Sequence, residues 1–190
     1  FFIMFMFDVE TLGVESTSVV LSASIIHFDS NDKVDYDQLL QKALFVKLDV
    51  DTQVKQYNRI IDKETLEWWD KQHDFVKRVS LKPSADDLHP ADAVRKLREY
   101  VNSYGGDKTI WARGSLDQMS IDSLAVAVGE EKIVMYNMWR DVRTAVDLLC
   151  ETAKDGYCEV AHPTFKRHNV IKHHPTHDCA LDVMMLLYGK

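Results

Sequence analysis

Two regimes of hydrophobic patterning divide this chain. Ile3 to Phe7 is apolar without interruption and ends at Asp8, while Ser18 to Phe28 (SVVLSASIIHF) is β-branched and apolar with small residues between. Both read as buried strands. Phe45 to Leu48 reads as a third strand after the polar turn at Asn31 to Asp37, so the first part of the chain predicts an antiparallel meander. The period then changes. Val94, Leu97, Val101 and Tyr104 recur at helical spacing within 91–104, and Gly105-Gly106 stops that helix. Asp62 caps an earlier helix, Thr109 to Ala112 forms a short strand, and further helices are predicted over 116–128, 141–150 and 179–188. Strands first and strand–helix alternation afterwards indicate an α/β fold with a mixed sheet, as one domain over 1–190.

Composition narrows the picture only slightly. The chain has 190 residues, 46% hydrophobic and 28% charged, which is ordinary for a globular protein. No apolar run approaches the roughly 20 residues of a transmembrane helix, so no membrane partner is expected. The opening FFIMFMF is too short and lacks a basic flank, unlike a signal peptide. Cys150, Cys158 and Cys179 are odd in number and scattered, which argues against a disulfide framework and for a reducing, cytoplasmic setting. A formal charge of −7 argues against a protein that coats nucleic acid non-specifically. It leaves room for a nuclease whose acids are offset by bound cations.

The chemistry-bearing residues begin with Asp8 and Glu10. Two residues apart on a strand, they share one face. Like charges there are costly unless a cation sits between them, and a hard divalent metal prefers oxygen ligands. A third acid, Asp117, follows TIWARG and opens a helix. Near the other end lies His173-His-Pro-Thr-His-Asp-Cys-Ala-Leu-Asp182. Asp178 and Asp182 fall on one helical face. His177, five residues before Asp182, is about 140° away around a helix and reaches the same site from a loop or first turn. Two other readings of this run are a zinc site made by His173, His174, His177 and Asp178, and a solvated loop in which Asp178 is an N-cap.

Asp8-Val-Glu10, Asp117 after Trp-Ala-Arg-Gly, and the pair His177 and Asp182 resemble the DEDD (DnaQ-like) 3′-5′ exonuclease superfamily, histidine subtype. Leu66-Glu-Trp-Trp-Asp-Lys-Gln72, Trp139-Arg-Asp-Val-Arg-Thr144 and His177-Asp-Cys-Ala-Leu-Asp182 extend the likeness to the T-even phage exonuclease A group and its bacterial relatives. The resemblance implies a ribonuclease-H-like fold with a mixed five-stranded sheet flanked by helices, and two Mg²⁺ or Mn²⁺ ions. It implies metal ligation by Asp8, Glu10, Asp117 and Asp182, with His177 as general base. The segment WARGSLD is one residue shorter than the phage pattern, which makes Asp122 the alternative to Asp117. Thr11, Leu12 and Gly13 fall where the family meets the terminal nucleotide.

Other residues carry two readings. Trp68 and Trp69 are about 100° apart on a helix, so one is core and the other stacks on a base; Trp69 is assigned the substrate role. Arg140 and Arg143, three apart at a helix start, grip phosphate or pair with Asp141 and Asp147. Arg113, four before Asp117, leans toward the site. The implied substrate is single-stranded nucleic acid, DNA ahead of RNA, hydrolysed to nucleoside monophosphates. A homodimer, with FFIMFMF as an apolar surface, is a further expectation from the family.

Overall fold

A computed structural model describes residues 3–31 and 33–190. Strand β1 spans Ile3–Thr11, longer than its apolar run, because β2 (Val20–Phe28) pairs antiparallel with it through Thr11 opposite Val20. Asp8 and Glu10 therefore lie inside a strand, opposite Ser24 and Ser22, instead of just past its end. Helix α1 (Tyr36–Lys42), with a capping box on Asp35, follows the turn; Asp32 of the turn and Phe1-Phe2 of the expected apolar surface lie outside the described residues. Strand β3 (Leu44–Lys47) then pairs antiparallel with β2. The meander is real, but a helix interrupts it.

Helices α2 (Val50–Tyr57) and α3 (Lys63–Asp70) come next, each capped by an aspartate, Asp49 and Asp62. A short α4 (Asp74–Val76) runs into a π-helical stretch at Lys77–Leu81. After α5 (Pro90–Asn102), strand β4 (Lys108–Ala112) enters the sheet parallel to β1, and α6 (Leu116–Ala127) leaves it. The fifth strand, β5, is Trp139–Asp141, parallel to β4, and Asp141 caps α7 (Val142–Leu149). The mixed five-stranded sheet has the order β3-β2-β1-β4-β5.

Alternation along β1 sorts the core. Phe5, Phe7 and Val9 face α5 and α6, packed on Val94, Leu97, Ile121 and Leu124. Met6 faces the other way, onto Val183 and Met184 of α8 (Pro175–Tyr188) and Val142 and Val146 of α7. Each such buried side chain contributes about 1.5–3 kcal/mol. Asp8 and Glu10 share the parity of Met6, so the sheet directs both toward α8. That helix starts four residues before its sequence-based boundary, because Pro175 at the first helical position needs no N–H partner.

Candidate active site

The carboxyl ends of parallel β1 and β4 lie side by side near the N-termini of α6 and α8, the place where open α/β sheets leave a crevice. Asp8, Glu10, Asp117 and Asp182 all line one cavity of about 730 Å³ there. Asp117 comes in on the first turn of α6, and its Oδ1 accepts the Val9 N–H at 3.1 Å. The one-residue shortening does not displace it. Asp122 instead faces Lys132 at 3.1 Å and is not part of the cavity wall.

The electrostatics are those of acids crowded without a cation. Burial first, then the charges of Asp117 and Glu10, hold Asp8 well above the usual carboxylate range. Burial followed by Asp178 and Asp117 does the same to Glu10. Asp117 is pushed up to about 7, mainly by burial, against the pull of the Val9 N–H. Asp182 is raised by burial, while Arg113 opposes the rise. Buried Asp8 Oδ2 has no hydrogen-bond partner. An orphaned carboxylate oxygen among further oxygen donors fits a hard divalent cation, whose charge would reverse these shifts.

Arg113 forks onto Asp182, Nε to Oδ2 at 3.2 Å and Nη2 to Oδ1 at 2.5 Å, and donates a third bond from Nη1 to the Gly156 carbonyl at 2.8 Å. Its guanidinium lies 4.0 Å from the centre of the Tyr157 ring, where the π face favours a cation. Arg113 also lines the cavity, with its guanidinium engaged by Asp182. Arg143 lines the cavity, together with Arg167 and Lys172, which sequence reasoning did not single out because they sit in an irregular segment without a pattern. Arg140 does not join them. It lies on β5, outside the cavity wall, and spends its Nη1 on the Asn137 and Trp139 carbonyls.

His177 occupies the first turn of α8 but is not on the cavity wall. Its Nδ1 lies 2.7 Å from the Tyr36 hydroxyl and 3.4 Å from the Ile171 N–H. Burial lowers its pKa from the ordinary imidazole value. Asp178 is no N-cap: His174 holds that position, and Asp178 Oδ2 accepts the His173 N–H at 2.9 Å. Asp178 lines the cavity and is pushed up to about 7 by burial and by Asp182. Its i,i+4 relation to Asp182 was the signal for it.

A second cavity of about 470 Å³ adjoins the first through Val9, Glu10 and Leu116, and Thr11, Gly13 and Trp68 line it. Trp69 also borders this cavity, but it is 1% exposed, packs with Leu21 and Val76, and donates Nε1–H to the Thr11 carbonyl at 3.0 Å, so its ring face is engaged in the core. Trp68, 39% exposed, is the outward indole. Leu12 is buried in the same cluster as Trp69, and its side chain is core. Gly13 is a close-approach position, since a Cβ there would collide with the Ser18 hydroxyl.

Comparison with known proteins bears on the fold and the family. An exodeoxyribonuclease of Enterobacteria phage T4 is 26% identical over 97% of this chain and 88% of its own length. Among solved structures, exonuclease I of Methylocaldum szegediense superposes with a TM-score of 0.60 at 9% identity, over 98% of this chain. A zinc-bound E. coli exonuclease I–single-stranded DNA complex gives 0.59 at 10% identity over 97%. The chain spans about two fifths of the length of those two exonucleases, 40% and 39%, and the likeness to them is one of fold. Residues 4–188 match the model of the 3′-5′ exoribonuclease Rv2179c-like domain, nearly the whole chain, and the protein belongs to that family.

Proposed function

We propose that this chain removes nucleotides from the 3′ end of single-stranded nucleic acid, DNA foremost, releasing nucleoside 5′-monophosphates. The observation that carries the reading is the convergence of four acids from distant parts of the chain on one cavity, with Asp8 Oδ2 left unpartnered. Asp8, Glu10, Asp117 and Asp182 would hold two divalent ions, Mg²⁺ or Mn²⁺, whose chemistry would be to activate water and to stabilise the leaving 3′-oxygen.

The remaining steps belong to the protein. Asp8 feels the charges of Asp117, Glu10, Asp178 and Asp182, and Arg113 fixes the plane of Asp182. Arg143, Arg167 and Lys172 give an acidic chain a local cationic wall for the phosphate backbone. Trp68, Leu116, Thr11 and Gly13 receive the terminal nucleoside, whose base stacks on the outward indole. His177 is the general base. The Ile171 N–H can only donate, so Nδ1 carries the lone pair and Nε2 the proton in the conformation described. To take the proton of water, the ring must turn from Tyr36 and offer a lone pair to the cavity.

The family's description as an exoribonuclease favours RNA as a second substrate class. Single strands of DNA and RNA, labelled at the 3′ or the 5′ end and incubated with Mg²⁺, Mn²⁺ or EDTA, test the proposal. It requires early release of a 3′-labelled monophosphate, abolished by EDTA. Cleavage that survives EDTA, or 5′-label released first, overturns it.

A further inference from the structure

The interval that separates His177 from Asp182 also separates His173 from Asp178. Of the two histidines, only His173 lines the large cavity. Its backbone has φ of +62°, a left-handed conformation that a non-glycine residue keeps only where its surroundings impose it. Asp178 imposes it by accepting the His173 N–H. Trp68 meets the imidazole edge-on, with ring centroids 4.7 Å apart at 87°, and sets the ring plane.

One ring nitrogen of His173 and one oxygen each from Glu10 and Asp178 lie within 4.8 Å of one another. Among the described residues, no lysine or arginine forms an ion pair with Glu10 or Asp178, whereas Asp182 has Arg113. Ligand bonds of about 2.0–2.2 Å need donors drawn roughly 1 Å closer than that limit, within reach of small side-chain rotations. The donor chemistry differs from that of the four acids. Oxygen and water suit Mg²⁺, while an added imidazole raises affinity for borderline ions.

We propose that Glu10, His173 and Asp178 form a cation subsite of their own, beside the four-acid centre, that takes Zn²⁺, Mn²⁺ or Co²⁺ in preference to Mg²⁺. Glu10 belongs to both groups. A zinc ion bound here withdraws Glu10 from the acids around Asp8 and so antagonises Mg²⁺-supported turnover. The inference rests on the position of the four-acid centre and not on its substrate.

The test is titration of the metal-free full chain with Co²⁺, read by the visible ligand-field band and by calorimetry, in excess Mg²⁺ and without nucleic acid. The expected result is one tight Co²⁺ with a band that Zn²⁺ removes and Mg²⁺ does not. His173→Asn suits the test because asparagine tolerates left-handed φ. It should weaken Co²⁺ binding by at least the roughly 10–100-fold that loss of an outer partner costs, and His177→Asn should not. Asp178→Asn provides the same reading should His173→Asn fail to fold. Wild-type Co²⁺ affinity in the His173 and Asp178 variants, loss of the band in His177→Asn instead, or displacement by Mg²⁺ would overturn the subsite. Normal Co²⁺ binding in a protein that cleaves no 3′ end leaves the subsite standing and removes the exonuclease reading alone.

Discussion

Replacing Asp117 with asparagine removes a charge from the acid cluster while keeping its shape. The Val9 N–H, 3.1 Å from Asp117 Oδ1, finds an equivalent acceptor in an asparagine oxygen. Burial pushes Asp117 from 3.8 up to about 7. A carboxyl that binds its proton more tightly folded than unfolded releases it on unfolding, so the metal-free protein loses stability as pH rises. The penalty is absent below about pH 4, where both states are protonated, grows between about 4 and 7, and is complete above that. At about 1.4 kcal/mol per pKa unit it reaches about 4 kcal/mol. Because the neighbouring charge of Asp182 supplies part of this rise, it is a ceiling for a single substitution. Urea unfolding in EDTA reads it directly. Wild type should weaken from pH 5 to pH 8, and Asp117→Asn should match it at pH 4 but exceed it by about 1–4 kcal/mol at pH 8. Mn²⁺ at pH 8 should stabilise wild type more than the variant, because ligation requires the ionised acid. A wild type whose stability in EDTA is flat or rising over this range, with the variant weaker at pH 8, would refute the picture of repelling acids that await a cation.

Other substitutions separate chemistry from packing. His177→Ala should lower kcat by about 10²–10⁴-fold with little change in the urea midpoint, measured on a labelled single strand; an unchanged rate would reassign the base. Trp68→Ala should raise KM for oligonucleotides by the equivalent of about 1–3 kcal/mol of lost stacking. Trp69→Ala should instead cost about 3–5 kcal/mol of folding stability, because the buried indole also holds the Thr11 carbonyl. Gly13→Ala should destabilise the turn by forcing Ser18 aside, seen as a lowered Tm; an unchanged Tm would show that the hydroxyl yields at no cost.

What the sequence made legible follows from which signals are local. The acids Asp8, Glu10, Asp117 and Asp182 stood out because each falls in or next to a segment with a clear strand or helix pattern, and the structure puts them on one cavity wall. The two tryptophans could not be told apart, since adjacency on a helix says that one is buried without saying which. Only the packing of Leu12, Leu21 and Val76 decides for Trp69. Arg140 misled because a three-residue strand, with no periodicity of its own, precedes α7. Arg167 and Lys172 were invisible for a related reason: residues 150–174 hold no long regular element, so only tertiary placement brings them to the cavity.

The four acids are contributed by β1, α6 and α8, so the site joins residues 8 and 182 of the same chain. Such a centre has no partial form. A chain still being made, with β1 and β4 emerged but α8 not yet delivered, carries Asp8, Glu10 and Asp117 and lacks both Asp182 and His177. The proposed centre is therefore completed only by the closing of a contact among the longest in the molecule, and such contacts form late because their loop-closure entropy is large. Order of synthesis thus acts as a safeguard in the proposed mechanism, since nothing short of the assembled sheet and α8 brings its acids together.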